Sequence, residues 1–446
     1  MITGPSLLLL ILASILVIIV LTAKFKLHPF LALIVACFFL GITVGIPLPE
    51  IVKSMEKGFG GIMSYIGMIV VFGSVIGVFL EKSGGALKIA QSIIKLTGQK
   101  KTISAISLIG AVVSIPVFCD SGFILLSGLA DKISKLSNTN KASLSLSLAT
   151  GLYTTHTLVP PTPGPIAAAG NIGASGYLGT MILIGLCFSI PVLLMTQFLS
   201  KKLGKSIVAN EKHSVEEKKQ NDSIKIPSLR NSIIPLLVPI ILIAVGTILR
   251  FIGVAYEWIN FISAPVVAIF IGALLAMFLL RPKSKDNIKG WFAEAVKVSG
   301  PILIITAAGG AFGGVLKTTP LAEYVGQWMT SGESDDILIL LLIFLIAAVL
   351  KSAQGSSTSA MVITSSLLAP LIPALGWDSA IQFSLAVLVI GGGAMTVSHF
   401  NDSYFWVVSQ FSGMSAKDTN RTFTLITGIQ GVTVLLLSVL GWVIFV

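Results

Sequence analysis

The chain of 446 residues is 54% hydrophobic and only 11% charged, with a mean hydropathy of +0.95. A soluble domain of that length needs far more charge to cover its surface, and the alternating ~10-residue segments of an outer-membrane barrel are absent, which leaves an all-α polytopic membrane protein. The net charge of +11 does not indicate a nucleic-acid partner, because the basic residues fall in short loops between apolar spans.

The first apolar span, 5–23, has no basic leader and reads as a retained helix rather than a cleaved signal. Spans 29–47 and 61–80 follow. The next apolar stretch, 102–130, is too long for one span and is interrupted at Ser114–Gly122, which predicts a re-entrant hairpin with its tip inside the membrane. Backbone that is not helical at that depth must line a cavity or be buried in protein. Span 142–165 is discontinuous, since Pro160, Pro161, Pro163 and Pro165 cannot continue a helix, and span 177–199 completes a first half over 1–200. The polar stretch 201–231 predicts a cytoplasmic linker. The second half, 232–446, holds spans 232–253, 259–280 and 298–316, then a second hairpin over 337–370 interrupted at Lys351–Thr358. A discontinuous span over 381–406 breaks at His399–Ser403, and the last span covers 422–445. The expected fold has about ten transmembrane helices, two of them discontinuous, plus two re-entrant hairpins.

With both termini outside, the inner loops hold 25 of the 30 Lys and Arg residues, as the positive-inside rule requires. The halves also correspond at nearly one offset. Pro29 and Pro265 are 236 apart, as are Asp120-Ser121 and Ser356-Ser357; Gly77 and Gly314 are 237 apart, and His156 and His399 are 243 apart. Five spans per half is an odd number, so the repeats must have inverted topology, an arrangement that places a transport site where broken helices meet near the midplane. Convergence of Gly- and Ser-rich helices is the competing explanation.

Lys351 follows fourteen apolar residues from Ile337, which places it about 20 Å along a helix from the membrane surface. A charge there is a candidate for holding a substrate carboxylate, or else forms an ion pair with Asp120 or Asp402. Asp120, at the opposite tip, is a candidate proton carrier or a helix N-cap. Asp402 is a second proton-coupling candidate, expected nearer the inner side and more solvated. His156 and His399, one at each break, are candidate proton carriers or packing residues. The small residues Gly355, Ser356, Ser357 and Thr358 suit close approach of a hydroxylated ligand or a bare cation, or simply helix packing. Half-helix N-termini present unpaired N–H groups that suit a carboxylate. Cys37, Cys119 and Cys187 lie in apolar or re-entrant sequence, with neither a disulfide framework nor paired metal spacing. No phosphate-cradling loop or HExxH run is present, so neither an enzyme nor a primary pump is expected. A passive pore and a membrane-embedded enzyme acting on lipid remain rival classes.

In the segments Pro116–Phe123, His156–Pro165 and Gly355–Thr358 the sequence resembles the gluconate permease family, within the wider superfamily of ion-coupled organic-anion carriers, and the resemblance covers nearly the whole chain. It implies a bacterial inner-membrane importer of gluconate, related sugar acids, glycerate or D-serine by proton symport. No cofactor is implied beyond the coupling proton, or sodium in its place. The partners implied are a small organic acid, the lipid bilayer and, as often in this superfamily, a second copy of the chain. On this pattern Lys351 and helix N-termini hold the carboxylate. Ser121, Thr157, Ser356, Ser357 and Thr358 hold hydroxyls, and Gly122, Gly355, His156, His399 and Asn401 complete the site. Asp120 carries the proton, and Asp402 would meet the ammonium of an amino acid. The chain departs from well-known members in having Cys119-Asp120 for Phe-Glu, Thr162 for a second His and Lys351 for Arg, which makes a shorter acid such as glycerate a rival substrate.

Overall fold

The computed structural model describes residues 1–97, 101–137, 139–207, 226–251, 256–281, 285–321, 323–324, 336–400 and 402–446. Most of the linker, from 208 to 225, and Asn401 therefore lie outside the described residues. Among the described residues the structure is helical throughout, without a strand.

The first half contains α1 (Gly4–Ile19), α2 (Pro29–Val44), α3 (Leu48–Lys82), α4 (Gly85–Thr97), α5 (Thr102–Val113), α6 (Cys119–Ser137), α7 (Lys141–Leu158), α8 (Pro163–Asn171) and α9 (Leu178–Gly204). The second contains α10 (Leu229–Phe251), α11 (Glu257–Ser263), α12 (Pro265–Leu279), α13 (Lys285–Lys317), α14 (Asp336–Gln354), α15 (Ser357–Leu368), α16 (Ala380–Met395), α17 (Ser403–Ser412) and α18 (Leu425–Phe445). Prolines open α1, α2, α3, α8 and α12, where the missing N–H has no partner to lose.

Apolar surface is turned outward along stripes of helical period. On α9 the stripe is Leu183, Ile190, Leu194 and Phe198; on α10 it is Leu237, Ile241, Val245 and Ile248. Such faces suit lipid or another protein surface within the membrane. By length and composition, six described helices can cross a membrane, or up to eight if two bent pairs each count as one span. The count differs from the ten read in the sequence for a physical reason. The two discontinuous spans are each divided between two helices, of which α7 is 18 residues long but rich in Ser and Thr, and α2 is 16 residues long. By contrast α14, read as half of a re-entrant hairpin, is long and apolar enough to cross by itself.

The two longest helices, α3 with 35 residues and α13 with 33, pack antiparallel. Gly58 faces Gly310, Ser54 faces Gly314, and Lys82 at the far end pairs with Glu294 at 3.0 Å. A Cβ on Gly310 would lie 2.6 Å from the Gly58 carbonyl oxygen, and one on Gly314 would clash with that of Ser54. Both helices thus carry small residues four apart, the spacing that lets membrane helices touch backbone to backbone. Gly310→Val is expected to force the pair apart and cost about 1–3 kcal/mol, the usual penalty of overpacking, read as a lowered melting temperature in detergent.

Candidate functional site

Four chain breaks meet in the interior, and each has a local cause. Between α5 and α6 the tip residues Ser114–Phe118 turn with the Ser114 hydroxyl donating to the Val117 carbonyl at 3.1 Å. α7 stops at Leu158 ahead of the Pro160–Pro161 pair, whose peptide bond is cis, and α8 restarts at Pro163. α14 ends at Gly355, whose φ of +77° suits a residue without Cβ, and Ser356 then caps α15 by accepting from the Ser359 N–H at 3.2 Å. α16 ends at Met395, and Asp402 caps α17 by accepting from the Tyr404 N–H at 3.0 Å.

The break after α16 is strained. Val397 has φ of +57°, a conformation rare for a β-branched residue. Its neighbour Ser398 is tied three ways: its N–H donates to the Thr427 hydroxyl at 3.1 Å, its carbonyl accepts from Thr424, and its hydroxyl donates to Asp402. A residue in that conformation costs about 1–2 kcal/mol, partly offset in a Val397→Gly variant by the extra flexibility of the unfolded glycine, about 0.5–1 kcal/mol. The variant should therefore be no less stable than the parent, and a clear drop in melting temperature would argue against strain here.

Between the breaks lies a cavity of about 110 Å³ lined by Phe118, Cys119, Asp120, Tyr153, His156, Gly355–Thr358 and Asp402–Tyr404. At ~10–15 Å³ per water it has room for roughly 7–11 waters, enough for a small organic acid. The first residues of α6, α15 and α17 all belong to its wall, so three helix N-termini turn their positive ends toward it.

Lys351 does not line this cavity. It is buried behind it, with 2% of its surface exposed, and its ammonium donates to Asp402 Oδ2 at 2.6 Å and to the Gly355 carbonyl at 2.9 Å. The face of Tyr153 lies 5.7 Å away, within cation–π range. Of the two pairings open to Lys351 in the sequence, the structure forms the one with Asp402. Asp402 is itself 4% exposed, which corrects the expectation of a solvated group. The ring of its helix neighbour Tyr404 lies tilted against that of Tyr153, centroids 5.3 Å apart, and the Tyr404 hydroxyl donates to the Ala149 carbonyl at 2.8 Å, fixing α17 against α7.

Asp120 lines the cavity with one carboxylate oxygen, Oδ1, buried and unpartnered; Cys119 Sγ approaches the other at 4.0 Å. His156 also lines it, and its Nδ1 is buried without a partner. Gly355, Ser356, Ser357 and Thr358 are in the wall as expected. Ser121, Gly122, Thr157 and His399 are not. Gly122 packs on Leu152, the Thr157 hydroxyl donates to the Tyr153 carbonyl at 3.0 Å, and His399 Nε2 sits 3.0 Å from the Ser352 carbonyl. Tyr153, Tyr404, Phe118 and Ser403 are wall residues that the sequence reading did not select. Among the described residues no group of three or more His, Cys, Asp or Glu could hold a metal ion.

The fold has counterparts in known proteins. The YdaH transporter of Alcanivorax borkumensis superposes with a TM-score of 0.68 at 16% identity, covering 94% of this chain and 98% of that one, which shows a shared fold. In sequence, the gluconate permease of Pseudomonas aeruginosa is 31% identical over 96% of each chain. The D-serine transporter DsdX of Escherichia coli (strain K12) is 31% identical over 95% of this chain and 96% of its own. The family described as GntP family permease matches residues 6–444. A multi-pass membrane chain with this site, matched from end to end by that family, belongs to the GntP family of permeases and is a transporter rather than an enzyme.

Proposed function

We propose that the protein imports a small hydroxylated monocarboxylate (gluconate, a related sugar acid or glycerate) by proton symport. The observation that carries this reading is the charge balance of the cavity. Lys351 and Asp402 neutralise each other, so among the described residues the one unpaired charge in the wall belongs to Asp120. A monoanion entering beside an ionised Asp120 would be repelled in a medium of low dielectric. Protonating Asp120 removes that charge and leaves three helix N-termini to attract the carboxylate, which ties anion binding to proton uptake. Ser356, Ser357 and Thr358 of the second tip line the cavity, and in this reading their hydroxyls meet those of the substrate.

The same reading includes two inverted halves, 1–200 and 232–446, joined by the cytoplasmic linker, with both termini outside the inner membrane and two copies forming the working unit. Support for the repeat comes from paired element order. α5 to α9 match α14 to α18 as hairpin, discontinuous helix and closing span. The cross-contacts are reciprocal, since hairpin arm α6 packs on α17 and hairpin arm α15 packs on α8. The antiparallel course of α3 and α13 agrees with opposite insertion.

One observation favours a second substrate class. The free oxygen of Asp120 is a ready partner for an ammonium, and a relative at 31% identity is a D-serine transporter. Proteoliposome uptake of labelled gluconate, glycerate and D-serine under an inward proton gradient, with and without sodium, separates these readings. Accumulation of a hydroxy acid that follows the proton gradient and ignores sodium is the expected result. Accumulation of D-serine alone moves the substrate to the second class, sodium dependence moves the coupling ion, and equilibration without accumulation removes the symport reading.

A further inference from the structure

A second, smaller cavity of about 20 Å³ shares Phe118 and His156 as walls with the first. Its remaining wall comes from Val70, Gly73 and Ser74 of α3, from the first hairpin tip, and from the proline break between α7 and α8. One water needs ~10–15 Å³ and a few polar partners, so this space has room for a water but is far smaller than the first cavity. Polar partners are at hand in Ser74 and Thr162, and Pro161 turns its carbonyl oxygen toward α3. A Cβ on Gly73 would lie 3.7 Å from that oxygen, so the position is open enough to accept a side chain.

His156 is the titratable side chain common to both cavities, 6% exposed and with Nδ1 unpartnered. The groups facing it across the larger cavity are Cys119 and Asp120 from α6, Tyr153 on its own helix, and Asp402 and Tyr404 of the α17 segment, with Lys351 of α14 behind Asp402. The Lys351–Asp402 pair is satisfied, which leaves His156 and Asp120 as the ionisable groups of the wall with open hydrogen-bonding atoms.

We infer that the smaller cavity is a proton port: a water held there exchanges protons with His156, which passes them through a cavity water to Asp120, so proton and substrate reach the site by separate routes. In the step, one ring nitrogen accepts a proton from the port water while the other releases one toward the Asp120 carboxylate, and the resulting hydroxide is neutralised from solvent. The inference rests on the proton-symport reading. It singles out His156 over His399, which lies outside both cavities and sits against the Ser352 carbonyl.

The test is to fill the port without touching the substrate cavity. In proteoliposomes, Gly73→Val should lower proton-driven accumulation at least tenfold while exchange of labelled for unlabelled substrate at equal pH stays within twofold of the parent. Gly73→Ala should fall between, and His156→Gln should lose accumulation as well. Parental accumulation by Gly73→Val, or loss of its exchange along with its accumulation, would overturn the port. If the parent protein ignores the proton gradient, it is the symport reading that fails instead.

Discussion

Lys351→Met should destabilise the purified protein by about 3–5 kcal/mol, because it strands the Asp402 carboxylate in the interior without its cation. The pair meets the conditions for a large effect: N–O separation of 2.6 Å, both side chains buried, and a further ammonium contact to Gly355 that ties the end of α14 to the turn. Removing the partner as well should restore most of the loss. Asp402→Asn is the suitable second change, since its amide oxygen still accepts from Tyr404 N–H and keeps the α17 cap, worth ~1 kcal/mol. Thermal melts of the two single variants and the double variant in detergent close the cycle. A double variant as unstable as the sum of the singles would mean that the two charges do not support each other. A restored melt without restored uptake would mean that the pair serves transport beyond holding the fold.

Asp120→Asn should convert accumulation into equilibration. The amide matches the carboxylate in size and keeps an oxygen in the cavity, but it neither gains nor loses a proton in the working pH range. Under an inward proton gradient the parent should concentrate substrate, and the variant should stop when inside and outside concentrations are equal. Asp120→Glu is the informative control: it keeps the titration with a longer reach and should retain part of the accumulation. Undiminished accumulation by Asp120→Asn would transfer the coupling role to another group of the wall.

Much of this site was legible because its residues are anomalous where they stand. A lysine after fourteen apolar residues and four prolines within six positions cannot belong to an ordinary span, and both mark positions beside the cavity. Helical phase decided the failures. Ser121 and Thr157 each follow a wall residue by one position, and a turn of ~100° per residue carries them off the cavity face. The same arithmetic would have found Tyr153, three residues before His156 and therefore on its face. Tyr404 was not legible, because a tyrosine in an apolar segment looks alike whether it meets lipid, core or cavity. The burial of Asp402 depends on a partner 51 residues away, which no local pattern encodes. The six to eight apolar helices differ from the ten spans because hydropathy reports how apolar a segment is and not whether its helix runs unbroken.

The backbone at Val397 links charge to shape. Three hydrogen bonds clamp Ser398, and one of them ends on the same Asp402 oxygen that receives Lys351. Any event that draws Asp402 toward another partner also loosens that clamp, and the valine is then free to leave its left-handed conformation. The relaxation releases about 1–2 kcal/mol, enough to change the ratio of two arrangements by roughly 5–30-fold. The segment between α16 and α17 is in this sense a cocked spring whose catch is electrostatic, so that a rearrangement of charge at the cavity is felt as a push on α17, whose first turn belongs to its wall.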